Sequence, residues 1–304
     1  FSSHVSAVRV FRLLGGEARK PIVQEIFLSV ASDIEGGSSL SQALSKHPRV
    51  FSDLYVNIVR AGEESGKLNE AFEQLADYLD RMYELASKAR YALIYPAFVI
   101  TTFVAVMIFL MTSVIPNLTS ILVETGQEVP LYTRIVIFVS EFFVQFGVFI
   151  LLAIGVGGIL LWRYYLTESG HLAIDRFKLS VPYIGGLYRT LYLSRIADNL
   201  HSMLTAGIPM LKAISITGAV AGNRVYMSIM QESEEAVRGG ALVSEALEKY
   251  AEIPRIMVAM VRVGEETGEL GKILGTLAKF YRREVFNAVD ALVELIQPAL
   301  IIVL

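Results

Sequence analysis

The chain has 304 residues, a formal net charge of -3, 54% hydrophobic and 19% charged residues, and a mean hydropathy of +0.51. That balance is too apolar for an ordinary soluble protein and lacks the basic surplus of a nucleic-acid binder, so it points to a membrane protein. With no cysteine, a disulfide framework, a thiolate nucleophile and a thiolate metal site are all excluded.

The opening residues are mixed in polarity, with Arg9 and Arg12 behind them rather than a basic region ahead, so they do not read as a signal peptide. From Val5 the pattern predicts a helix to about Leu14, a break at Gly15-Gly16, and a second helix opened by Pro21 in its favoured first-turn position. Gly36-Gly37 closes that helix. Ser39 with Gln42 three residues on has the capping-box form and starts a short helix ended by Pro48, and another helix runs from Asp53 to about Glu63. Leu68 to Arg90 then reads as a charged amphipathic helix. Behind it, Leu93 to Ile115 exceeds the roughly 20 apolar residues that cross a hydrocarbon core of roughly 30 Å, with Pro96 near its start as a possible kink.

Pro116 to Arg134 carries Gly126, Pro130, Glu124 and Glu128 and reads as a connecting loop. Phe142 to Trp162 supplies a second apolar run, with Trp162, Tyr164 and Tyr165 as an aromatic anchor at headgroup level. Arg81, Lys88 and Arg90 precede the first span and Arg163, Arg176 and Lys178 follow the second. This bias places both flanks in the cytoplasm and only the loop outside. Beyond, Val181 to Gly186 reads as a turn. An amphipathic helix over Leu187 to Leu204 has Leu193, Ile196, Ala197 and Leu200 in register, and Ala206-Gly207-Ile208-Pro209 reads as a corner between helices. The apolar run Leu295 to Leu304 is about half a span.

The chain is internally duplicated. Arg60-Ala61-Gly62-Glu63-Glu64-Ser65-Gly66-Lys67-Leu68 returns as Arg262-Val263-Gly264-Glu265-Glu266-Thr267-Gly268-Glu269-Leu270, and Gly36-Gly37 with Ser41, Ala43 and Leu44 returns as Gly239-Gly240 with Ser244, Ala246 and Leu247. The stripe Leu68, Phe72, Leu75, Ala76, Leu79 returns as Leu270, Leu274, Leu277, Ala278, Tyr281. The same alignment pairs Phe1 with Leu204, so the first repeat begins one helix late and a truncated amino terminus is expected. The reading is thus an all-α membrane protein with two duplicated helical-bundle domains facing the cytoplasm and three transmembrane helices, the third incomplete. Its expected segments are a first cytoplasmic domain over 1–91, spans at 92–115 and 135–163, a periplasmic loop at 116–134, a second cytoplasmic domain over 164–290, and the start of a third span at 291–304.

Chemistry-bearing motifs are mostly missing. The four histidines, at 4, 47, 171 and 201, lack metal-ligand spacing. Gly62 to Leu68 is too short and too acidic for a phosphate loop, and Gly155-Val156-Gly157-Gly158 sits inside an apolar span, where helix packing explains it. No catalytic, cofactor or metal residue is assigned. The candidates for partner contact are Gly62, Glu63, Glu64 and Gly66 with Gly264, Glu265, Glu266 and Gly268. If Gly66 and Gly268 are left-handed, these carboxylates lie at carbonyl ends of helices, where about 0.3 to 1 kcal/mol disfavours them. Two compensations are open: pairing along the helix with Arg60 and Arg262, or contact with a basic partner or cation.

Together with Glu128-Val129-Pro130-Leu131-Tyr132-Thr133-Arg134, Pro182-Tyr183-Ile184-Gly185 and Leu204-Thr205-Ala206-Gly207-Ile208-Pro209, these motifs resemble those of the GspF/PilC family, the inner-membrane platform proteins of type II secretion systems and type IV pili. The resemblance covers nearly the whole chain in order, departing where His4 and Ser6 stand for the glycine and proline seen at 207 and 209. It implies a non-catalytic, multi-pass protein of the bacterial inner membrane. It also implies a role joining a cytoplasmic hexameric assembly ATPase to pilin or pseudopilin subunits and other inner-membrane assembly proteins, in contact with membrane lipid, as a homo-oligomer, without cofactor or nucleic acid. A transporter or channel subunit would show polar residues or broken helices at midplane, and a membrane-tethered enzyme would show a catalytic cluster.

Overall fold

The computed structural model describes residues 6–117, 131–182 and 184–303, and every regular element among them is helical. In chain order these are α1 (Ala7–Glu17), α2 (Pro21–Glu35), α3 (Leu40–Ser45), α4 (Asp53–Glu64) and α5 (Leu68–Phe109), the last followed by a π-helical turn over Leu110–Val114. Then come α6 (Leu131–Tyr165), α7 (Glu168–Ser180), α8 (Ile184–Thr205), α9 (Met210–Val220), α10 (Arg224–Arg238), α11 (Val243–Glu248), α12 (Arg255–Thr267) and α13 (Leu270–Val303). The series α1 to α5 is repeated by α9 to α13 in order and, up to the last member, in length to within one residue.

Local chemistry accounts for most boundaries. Pro21 opens α2, and the Ser39 hydroxyl accepts from the Gln42 amide while the Gln42 side chain reaches back to Ser39, closing a capping box on α3. Gly37 and Gly240, at φ +91° and +96°, end α2 and α10 in the backbone region that glycine adopts without strain. The expected break at Gly15-Gly16 does not occur, because α1 runs on to Glu17. Gly15 is buried, and a Cβ there would come within 3.1 Å of the Leu28 side chain, so this glycine lets α1 and α2 pack closely.

The contacts divide the chain into two compact units, Phe1–Ser87 with Asp175–Val289, and Lys88–Ile174 with Asp290–Leu304. The first unit contains α1 to α4 and α8 to α12, so helices of both repeats fall within one contact unit. Its continuous core includes Leu44, Leu54, Ile58 and Leu75 from the first repeat and Ile214, Tyr226, Met230, Leu247 and Met257 from the second. Between them lies α8. Leu193, Ile196, Ala197, Leu200 and Met203 are buried as their spacing predicts, but so are Ser194, Asp198, Asn199 and Ser202 on its other sides. It is a central helix rather than an amphipathic one.

In the second unit, 97–117 is long and apolar enough to cross a membrane, and none of it is buried within the protein. The helix α6 exposes Phe138, Phe149, Leu152, Ile159, Leu160 and Trp162. It packs against the π-helical turn, where the Ser140 hydroxyl donates to the Met111 carbonyl. Continuous helices run through the expected segment boundaries. Residues 91 and 92 both lie within α5, α6 begins at Leu131 inside the expected loop, and α13 continues past residue 290 and through Pro298. Most of the loop, 118–130, lies outside the described residues.

Candidate functional site

The repeated Gly-Glu-Glu-Ser/Thr-Gly stretch forms the same corner twice. The helix α4 ends at Glu64, the Ser65 hydroxyl bonds back to the Ala61 carbonyl at 2.7 Å, and Gly66 turns left-handed at φ +72°. The Lys67 amide then donates to the Gly62 carbonyl at 2.7 Å, and α5 begins at once. At the second copy the Thr267 hydroxyl bonds to the Val263 carbonyl at 2.8 Å and Gly268 has φ +73°. The outer glycines are thus required by backbone geometry, as expected. The inner glycines serve packing. A Cβ on Gly62 would lie 2.5 Å from the Ala71 Cβ, and one on Gly264 would lie 2.9 Å from the Leu270 Cα, so only glycine lets the two helices leave the corner side by side.

The two glutamates of each copy point in different directions. Glu63 reaches the amino end of α3, accepting from the Leu40 amide at 2.7 Å, the Ser41 amide at 3.2 Å and the Ser41 hydroxyl at 2.8 Å. Glu265 does the same for α11, accepting from the Val243 and Ser244 amides at 2.5 and 3.0 Å. Each carboxylate satisfies orphan amides and faces the positive end of a neighbouring helix, which outweighs the unfavourable carbonyl end of its own. Burial pulls the Glu63 carboxyl upward, but the bonds donated by Ser41 and Leu40 outweigh it and hold the group below the usual glutamate range. Glu64 and Glu266 are exposed.

The arginines do not play the part expected of them. Arg262 pairs with Glu248 at 2.7 Å, and Arg60 forms no ion pair among the described residues. Internal capping of α3 and α11 replaces the arginine pairing. The sequence held a signal for it, since Ser41 and Ser244 recur 22 and 21 residues before Glu63 and Glu265, but spacing alone did not show that the two motifs touch.

A second polar group surrounds α8 and was not foreseen. The Arg81 Nε atom lies 3.0 and 3.2 Å from the two Asp198 carboxylate oxygens, its Nη2 donates to the Ser202 hydroxyl at 3.3 Å, and Gln74 donates to the Ser202 carbonyl at 2.5 Å. Burial first, and then the Asp198 charge, push the nearby Tyr78 hydroxyl up to about 12. On another side of α8, the His201 Nδ1 donates to the Gly271 carbonyl at 2.7 Å, and Gly275 leaves room for the imidazole. Of the basic residues used to orient the spans, Arg81, Lys88 and Lys178 are tied to Asp198, Asp290 and Asp175. Among the described residues no group of three histidine or acidic side chains could hold a metal ion.

Among the described residues the chain is all-α, repeats one series of helices, and has one helix long and apolar enough to cross a membrane, which is consistent with a membrane protein. The chain belongs to the family described as type II secretion system protein F, whose model matches residues 1–116 and 196–304. It is 39% identical over 283 residues to the type IV pilus assembly protein PilC of Thermus thermophilus, covering 92% of this chain and 69% of that protein. To the type IV pilus assembly protein TapC of Aeromonas hydrophila it is 30% identical over 307 residues, covering all of this chain and 74% of that one. The type II secretion system protein F of Pseudomonas aeruginosa is 30% identical over 292 residues, 96% of this chain and 72% of that protein. Its relatives are therefore components of secretion and pilus machinery.

Proposed function

We propose that the protein is a non-catalytic platform in the bacterial inner membrane that couples a cytoplasmic assembly ATPase to extraction and polymerisation of pilin or pseudopilin subunits. The observation that carries this reading is the family match, which falls on both repeats and joins proteins of pilus assembly and of type II secretion. Both repeats face the cytoplasm, residues 116–134 lie in the periplasm, and spans at 92–115, 135–163 and from 291 cross the membrane. The exposed apolar surfaces of 97–117 and α6 support that placement. The helices α5 and α13 each pass without a loop from a repeat into an apolar segment, giving a direct covalent path along which a cytoplasmic event reaches the bilayer.

The surface that meets the ATPase or another assembly partner includes Glu64 and Glu266, the members of the corner not engaged in capping. Lys67 pairs with Glu70 in the first copy and Glu269 with Lys272 in the second, so the two corners carry the same net charge and each leaves one exposed glutamate to meet a basic partner. Glu64→Gln with Glu266→Gln, assayed together by fibre assembly or secretion and by co-purification with the ATPase, should leave insertion intact. Assembly should fall, and the capture that remains should weaken steeply with salt. Wild-type assembly and capture in that variant would restrict the motif to its structural role.

A further inference from the structure

The helix α7 is built the wrong way round for a helix in water. Its carboxylate, Asp175, is 6% exposed and is held inside the protein, where it accepts from the Arg224 amide at 3.1 Å and pairs with Lys178 at 3.1 Å. Leu179 is buried as well, and its carbonyl accepts from the Arg189 guanidinium at 3.1 Å. Leu172, Ala173, Arg176 and Phe177 are instead exposed, Phe177 at 67%. At about 100° per residue these four fall within one arc of about 140°, so they form a single face. Arg176 forms no ion pair among the described residues. A buried aspartate beside an exposed phenylalanine reverses the usual partition between core and water.

The place of α7 in the chain says what covers that face. Only Leu166 and Thr167 separate it from α6, whose last turn exposes Trp162, Arg163 and Tyr164, and Leu166 is itself exposed. The corner between them is tight. The Thr167 hydroxyl donates to the Tyr164 carbonyl at 2.7 Å and accepts from the Gly170 amide at 3.1 Å, and the rings of Tyr165 and His171 stand 4.2 Å apart. A Cβ on Gly170 would run into the Tyr164 carbonyl, so only glycine allows this approach. The helix α7 thus begins where the aromatic end of α6 stops, and tryptophan and tyrosine at the end of an apolar helix mark the headgroup level of a bilayer.

We infer that α7 lies in the interfacial layer of the bilayer, with Leu172 and Phe177 at the boundary between headgroups and acyl chains. Arg176, between them, lays its stem along the apolar surface and turns its guanidinium to the lipid phosphates. The occupant of the face is lipid, because the face continues the exposed apolar surface of α6 across a fixed corner of two residues. The inference rests on the reading of α6 as a membrane span and goes beyond it by placing on the membrane a helix that does not cross it.

The single tryptophan of the chain lets the two readings be tested apart. Wild type, whose reporter is Trp162, is compared with Trp162→Phe carrying either Phe177→Trp or Leu172→Trp. Each whole chain is reconstituted into vesicles of phosphatidylethanolamine and phosphatidylglycerol, with or without bromine near the top of the acyl chains. All three proteins should lose roughly half of their emission to the brominated lipid, because a helix lying in the interface holds its apolar face at that depth. Quenching of Trp162 with an unquenched reporter at either position 172 or position 177 would overturn the interfacial helix alone and leave its face to a protein partner. Absence of quenching in all three would overturn the span together with it.

Discussion

Replacing Glu63 separates the capping role of the acidic corner from any role at the surface. In Glu63→Ala the Leu40 and Ser41 amides and the Ser41 hydroxyl lose a charged acceptor at 2.7 to 3.2 Å. Hydrogen bonds to charged groups contribute about 1.5 to 3 kcal/mol and lost caps cost about 0.5 to 2 kcal/mol. The three bonds do not add, because the site is half-open and water replaces part of what is lost, and the Ser39 hydroxyl still caps the Gln42 amide. The expected cost is about 2 kcal/mol, falling to about 1 kcal/mol for Glu63→Gln, which keeps one carbonyl acceptor. Glu64→Ala, one residue on and exposed, should change stability by no more than about 0.5 kcal/mol. Thermal unfolding of the detergent-solubilised chain, followed by far-ultraviolet circular dichroism, gives the comparison. Equal losses in the two variants, or a larger loss for Glu64→Ala, would refute the assignment of Glu63 to the α3 cap.

The same bonds fix a pH dependence: because the folded state lowers the Glu63 pKa, its contribution is present above the unfolded glutamate range and is lost as pH falls through the lower folded value. Wild type and Glu63→Gln should therefore differ in melting temperature at neutral pH and converge in acid. Gly62→Ala, whose new Cβ meets Ala71 at 2.5 Å, should cost about 2 to 3 kcal/mol, and Gly66→Ala about 1 kcal/mol through its left-handed backbone alone. Asp198→Ala should cost about 3 kcal/mol by stranding the largely buried Arg81, and Asp198→Asn less, as read by denaturant titration. Purified protein should show no saturable calorimetric binding of ATP at micromolar concentrations, since the loop nearest to a phosphate cradle is a helix corner with carboxylates.

The elements that the sequence made legible are those with local causes. Pro21, the Ser39 and Gln42 box, the glycine pairs and the left-handed Gly66 and Gly268 each act within a few residues of themselves, so their effects could be read in place. The duplication was legible for the same reason, because motif order survives without any knowledge of contact. What stayed hidden depends on partners far along the chain. Asp198 and Ser202 look like the wet face of an amphipathic helix until Arg81 and Gln74 are brought from the other repeat. Glu63 looked like an exposed turn charge because the amides it caps belong to a different helix. Gly15 looked like a helix breaker, whereas it marks a close approach by Leu28, a distinction that composition does not carry.

The placement of both repeats on the cytoplasmic side is the claim on which the platform function rests, and the cysteine-free background makes it directly measurable. Single cysteines at Ser65, Thr267 and Thr125 are treated in intact cells with a membrane-impermeant maleimide admitted to the periplasm, then again after lysis. The account predicts labelling of Thr125→Cys in intact cells, with Ser65→Cys and Thr267→Cys reacting only after lysis. Labelling of either corner from outside would contradict it.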